Sequence, residues 1–154
     1  MESASVLYRE ATSADVPDMV HARASDLEAG PADTRMARYL DGEHHPQKAL
    51  TPRTAFVALK GGSVVGYIGG HLTRRYDCDG ELQYLYVVRE ERRAGIASEL
   101  LRLLARWFAE HDAHQVCVGV DEDNSGAHNF CAYHGAKGLD LAFLAWSNIQ
   151  DVLA

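Results

Sequence analysis

The chain has 154 residues, 47% of them hydrophobic and 24% charged, and a formal net charge of −7. That length suits a single domain, residues 1–154, with a real core, and the composition is that of a soluble globular protein. The acidic balance disfavours nucleic acid as a partner, and no stretch approaches the roughly 20 apolar residues of a membrane helix, so no membrane partner is expected either.

Met1 to Ser5 has neither the basic start nor the apolar run of a secretory signal, which makes a cytoplasmic location the default expectation. Cys78, Cys117 and Cys131 show no C-x-x-C spacing and fit a reducing compartment. His111, His114 and Cys117 resemble metal ligands only superficially. They straddle a helix end and a strand start, so no metal is expected.

In chain order, Val6 to Glu10 reads as a first strand. Thr12 or Ser13 caps a helix running to Glu28, which Gly30-Pro31 ends. A second helix spans Ala32 to Leu40. Asp41 to Pro52, with its Gly and Pro residues, reads as a loop. Thr54 to Lys60 and Val64 to Thr73 flank Gly61-Gly62-Ser63 and predict a hairpin. After the Asp77–Gly80 turn, Glu81 to Val88 is a strand. From Gly95 to His111 the apolar positions Ile96, Leu100, Leu103, Leu104, Trp107 and Phe108 keep helical spacing. A strand over Gln115 to Val120, a helix over Asn124 to His134 and a last strand over Leu139 to Trp146 follow. Ser147 is placed to cap a small terminal helix. This order implies an α/β (α+β mixed) fold, a mixed sheet with helices on its faces.

Two segments carry chemistry. The first joins the Glu81–Val88 strand to the next helix through Arg92-Arg93-Ala94-Gly95-Ile96-Ala97-Ser98. A helix N-terminus offers unpaired N–H groups and partial positive charge, which suits a pyrophosphate. It is neither the three-glycine dinucleotide fingerprint nor a P-loop. The second segment, Asn124 to Ala136, follows a strand; read alone, Asn124 is a helix cap and Phe130 a core contact.

Together these segments resemble the GNAT superfamily of acetyl-CoA-dependent N-acetyltransferases. Arg92-x-x-Gly95-x-Ala97 is similar to its acyl-CoA motif Q/R-x-x-G-x-G/A. Asn124, Ala127, Phe130 and Gly135 match its pattern N-x-x-A-x-x-F/L-Y-x-x-x-G-F. The order of elements also resembles the GNAT fold, a mixed, largely antiparallel sheet splayed at the acyl-CoA site. The resemblance implies acetyl-CoA as co-substrate, without a metal. Backbone groups of Leu85, Tyr86 and Val87 would pair with pantetheine, as an added strand does. Amides from Arg93 to Ser98 would hold the pyrophosphate, with Arg92 adding charge, and Asn124 would lie near the pantetheine arm. Cys131 stands where the family's tyrosine, often the acid protonating the departing thiolate, would be. Ala136 replaces the final aromatic.

Glu81 begins the strand where several family members carry a glutamate base; read alone, it is also an ordinary strand-edge carboxylate in water. Alternation puts Glu81, Gln83, Leu85 and Val87 on one face and Leu82, Tyr84, Tyr86 and Val88 on the other. Tyr84 and Tyr86 read as core or pocket walls, and Arg74 and Arg75 as exposed. Residues 13 to 46 hold seven acidic side chains against three arginines. That bias suits a solvated helical surface. It also permits a polycationic small-molecule acceptor such as an aminoglycoside or polyamine. A protein N-terminus or lysine, and a catalytically weak acyl-CoA sensor of the same fold, are the alternatives. A homodimer is allowed.

Overall fold

The computed structural model describes residues 5–24, 26, 36–41, 43, 46, 49–140 and 142–154. Seven strands form one sheet in the order β1-β2-β3-β4-β5-β7-β6. They are β1 (Val6–Glu10), β2 (Ala49–Lys60), β3 (Ser63–Thr73), β4 (Gly80–Val87), β5 (Val116–Gly119), β6 (Lys137–Asp140) and β7 (Phe143–Trp146). All neighbours run antiparallel except β4 and β5, which are parallel. The helices are α1 (Val16–Ala24), α2 (Met36–Leu40), α3 (Ile96–Glu110) and α4 (Ser125–Tyr133).

The sheet separates two cores. On one side α3 buries Ile96, Leu100, Leu101, Leu104 and Phe108 against Ile68, Leu82, Val116, Val118 and Trp146. The spacing of three and four residues puts these side chains on one stripe of α3, and each fully buried one contributes about 1.5–3 kcal/mol. On the other side Val16 and Met19 of α1 and Met36 of α2 pack on Val57, Tyr67 and Tyr86. The β2–β3 hairpin turns at Gly61 and Gly62 with φ of 58° and 82°, as a two-residue primed turn requires.

Several expected boundaries shift. The first helix opens as a 3₁₀ turn over Ser13–Asp15, with Asp15 accepting the Thr12 N–H at 2.9 Å, and α1 ends at Ala24. The expected end at Glu28 lies outside the described residues, as do residues 32–35 of the second helix. Strand β2 begins at Ala49, inside the segment read as a loop. It accommodates Pro52 because a register shift between Leu50 and Arg53 removes Thr51 and Pro52 from the ladder. The last expected strand is a hairpin of β6 and β7. Strand β6 is exposed throughout, so it carries no alternating apolar signature. Asn148, and not Ser147, caps the terminal 3₁₀ turn by accepting the Gln150 N–H at 3.1 Å.

Candidate active site

A bulge in β4 sets the site. Gly69 pairs with Tyr84 and Gly70 with Leu82, so Gln83 has no partner across β3. The extra residue breaks the alternation expected from sequence. Leu82, Leu85 and Val87 all pack toward α3, whereas Tyr84 and Tyr86 pack toward α1 and α2. Glu81 therefore shares the face of Tyr84 and Tyr86, and not that of Leu85 and Val87. A single inserted residue is invisible to a period-2 reading, which is why the sequence misassigned that face.

The bulge coincides with a split in the sheet. Pairing of β4 with β5 covers only Gly80, Glu81 and Leu82. Beyond Leu82 the β5-side edge of β4 is unpaired in the ladder. The Val88 N–H bonds Val65 O of β3 at 2.9 Å. Backbone groups alternate between edges in an antiparallel strand. Leu85 and Val87 consequently turn theirs to the open edge, and Tyr86 turns its own to β3. Of the three residues expected to pair with pantetheine, the geometry leaves two with groups facing the gap.

At the end of that edge the chain enters α3 through Gly95, whose φ is 83°. A Cβ there would meet nothing within 4 Å, so open space lies over the first turn of the helix. A cavity of about 270 Å³ occupies it, bounded by Val87, Arg92, Arg93, Gly95, Ala97 and Ser98 on one side and Phe130 of α4 on the other. Ile96 also borders it but is buried in the core. Ala94 is exposed. Positive backbone potential and bare N–H groups converge on this volume. Glu91 also borders it, with its charge paired to Lys60 at 3.0 Å.

Arg92 is exposed but bonded back onto the protein. Its Nε donates to Val87 O at 2.9 Å and a terminal nitrogen donates to Asp26 at 2.9 Å. Asp26 also accepts the Tyr86 hydroxyl at 2.9 Å. The Ser98 hydroxyl pairs with His134 Nε2 at 2.9 Å, and burial together with Arg102 keeps the His134 pKa below its ordinary value. Asn124 caps α4, its side chain accepting the Ala127 N–H at 3.1 Å.

Glu81 is 6% exposed and belongs to a polar cluster inside the sheet. Its Oε1 lies 3.3 Å from His71 Nε2 and accepts from Arg75 Nε at 3.2 Å. Arg75 was expected to be solvent-exposed; its side chain instead bonds Glu81 and lies over the Phe143 ring. His71 and Tyr39 were not singled out in the sequence. Two buried polar residues in separate elements carry no shared motif, and only the fold brings them together. Tyr84 packs its ring edge-on against Tyr39 at 5.2 Å.

Cys131 lies in α4, 3% exposed, within the α3-side core. Burial pushes its thiol up to about 11. Tyr133, two residues further, is 86% exposed on the opposite side of the helix. His111 and His114 are exposed, whereas Cys117 is fully buried, so the three do not converge.

This chain belongs to the acetyltransferase (GNAT) family, whose profile matches residues 18–136. An uncharacterized N-acetyltransferase of Mycobacterium tuberculosis is 32% identical over 114 residues, covering 74% of this chain and 67% of the relative. A relative in Mycobacterium bovis matches to the same extent. Among solved structures, a GNAT-family acetyltransferase from Staphylococcus aureus Mu50 superposes with a TM-score of 0.74 at 14% identity, over 94% of this chain and 99% of the other. The PaiA N-acetyltransferase from Thermoplasma acidophilum, in complex with coenzyme A, gives 0.68 at 17% identity, over 92% and 96%. At such identities the structural matches establish the fold. The family establishes an acyltransferase of the N-acetyltransferase type.

Proposed function

We propose that the protein transfers acetyl from acetyl-CoA to a primary amine of a small molecule, by direct attack within a ternary complex. The observation that carries this reading is the coincidence of three features. The unpaired edge of β4 beyond Leu82, the cavity at the N-terminus of α3 and the buried carboxylate of Glu81 all lie along one strand and its exit.

Pantetheine would pair with the backbone of Leu85 and Val87 along the open edge. The amides from Arg93 to Ser98 would take the pyrophosphate, and Asn124 would border the pantetheine arm. A backbone N–H at the open edge would stabilise the oxyanion that develops on the thioester carbonyl. Glu81, directly or through one water, would accept the amine proton. The new N–C bond forms as the carbonyl becomes an oxyanion, its collapse breaks the C–S bond, and the departing thiolate takes a proton from Cys131 or from water. From Cys131 that last transfer runs uphill, since burial raises its thiol to about 11 against about 8.5 for an ordinary thiol.

An aminoglycoside or polyamine is the favoured acceptor class. Within the acidic N-terminal third, Asp15, Asp26 and Glu43 pair with arginines, while Asp18 and Asp41 stand on the surface to meet a cation. The experiment is thiol release from acetyl-CoA across aminoglycosides, polyamines and peptides with a free N-terminus or lysine. Turnover with the small amines supports the proposal; turnover confined to peptides replaces the acceptor class. Tight CoA binding without turnover on any amine points to the sensor reading, which the cysteine at position 131 keeps open.

A further inference from the structure

A buried row of hydrogen bonds runs from α2 through the sheet to Glu81. The Tyr39 hydroxyl lies 2.7 Å from His71 Nδ1, and His71 Nε2 lies 3.3 Å from Glu81 Oε1. Neither Tyr39 nor His71 is exposed at all. Burial drives the Tyr39 hydroxyl far above its ordinary pKa, so it keeps its proton. Among the described residues, His71 Nδ1 is the acceptor available to that proton. Nδ1 must then be the bare nitrogen, and Nε2 carries the hydrogen aimed at Glu81.

We propose that Tyr39 and His71 are positioning residues for Glu81, the tyrosine fixing the imidazole tautomer whose Nε2–H holds Oε1. This rests on the reading of Glu81 as the base. Arg75 Nε donates to the same Oε1, so both donors are spent on one oxygen and Oε2 is the one left to receive the amine proton. The remaining polar groups fit that assignment. Arg53 stacks over the Tyr39 ring at 4.7 Å and donates to the Tyr39 carbonyl, not to its hydroxyl. Tyr84 meets the ring by its edge. Cys117 of β5, paired with Glu81 of β4, is buried with its thiol pKa raised, and stays neutral. The tyrosine comes from α2, so the device ties the first helical layer to the strand that carries the base.

The test is a cycle of Tyr39→Phe, Glu81→Gln and the double variant. It is read by thiol release with spermidine and by calorimetric CoA affinity, and nitrogen-15 NMR of His71 gives the tautomer directly. Phenylalanine keeps the packed ring and removes only the hydroxyl. Tyr39→Phe should lower kcat about tenfold with CoA affinity unchanged, a part of the roughly 10²–10⁴-fold that general-base catalysis supplies. In the Glu81→Gln background it should have no further effect, because residues acting as a unit are non-additive. His71→Gln, which retains an N–H near the Nε2 position, should keep more activity than His71→Leu. The NMR should show the Nε2–H tautomer in the parent protein and its loss in Tyr39→Phe.

A Tyr39→Phe penalty of the same factor in both backgrounds, or none in the parent, would overturn the positioning role while leaving Glu81 as base. Parental rates in Glu81→Gln would instead remove the base. Should spermidine not turn over, an Nδ1–H tautomer in the parent protein overturns the proposal by itself.

Discussion

Arg92 donates to Asp26 at 2.9 Å while its Nε donates to Val87 O at 2.9 Å, so one side chain ties the α3 entry loop to both the strand it leaves and the segment after α1. Its guanidinium also lies 5.7 Å over the Tyr86 ring. The arginine of the motif therefore holds the loop in shape before any anion arrives. A consequence follows for the Val87 carbonyl. Arg92 bonds it on the edge that pantetheine would use, so the contact must be shared or exchanged on binding. Arg92→Ala should cost about 1–2 kcal/mol, because Asp26 is nearly buried and loses an arginine partner at 2.9 Å. CoA affinity should fall by a few-fold only. Thermal unfolding and calorimetry measure the two effects separately.

Gly95 is the position where the loop tolerates least. Its φ of 83° is unfavourable for any side chain, and the space above it is empty. Gly95→Ala should cost about 1 kcal/mol through backbone strain and weaken CoA mildly. Gly95→Asp adds a negative charge facing the pyrophosphate and should weaken CoA strongly, with the fold largely kept. Unchanged CoA affinity in the aspartate variant would rule this site out.

Glu81→Gln keeps the shape and removes the base. We expect kcat/KM to fall by at least about tenfold near neutral pH. The deficit should narrow as pH rises, since more of the acceptor amine is then already neutral. The check is a pH–rate profile for both proteins with one amine; parallel profiles at equal height exclude the role.

Cys131 is tested by alanine beside tyrosine. Burial holds its thiol near 11, so it carries a proton throughout the working range. If it protonates the leaving thiolate, Cys131→Ala lowers kcat with CoA affinity unchanged, and Cys131→Tyr restores or raises it. Equal kcat in parent and alanine variant, with chemistry shown to be rate-limiting, removes Cys131 from the mechanism. The alanine also leaves a small core cavity, so about 1 kcal/mol of stability should be lost in either case.

Asp15 gives a pH signature of stability. The Arg9 hydrogen bond, together with the Thr12 N–H, holds its carboxyl down to about 2. The unfolded carboxyl titrates near 3.9. The bond's contribution is thus fully present above about 3.9 and lost as pH falls through about 2. Arg9 is half exposed, so solvent screening keeps the effect small. Denaturation of Asp15→Asn beside the parent should show that gap at pH 6 and its closure at pH 2.

Local signals were enough for much of this protein. The periodic apolar face of α3, the Gly61-Gly62 hairpin and the Arg92–Ala97 entry loop each depend on neighbours in sequence, so they could be read without a partner. The family followed from two such segments in order. What tertiary structure decided is everything set by pairing across elements. The Gln83 bulge moved Glu81 to the opposite face from the one alternation predicts, because one inserted residue inverts a period of two. Exposed β6 had no pattern to announce it and exists by pairing with β7. Arg92 and Arg75 carry the same charge in any sequence reading, but the fold pairs the first with Asp26 and the second with Glu81. Tyr39 and His71 are unremarkable in the chain, and only the packing of α2 against β3 removes them from water and obliges them to bond each other.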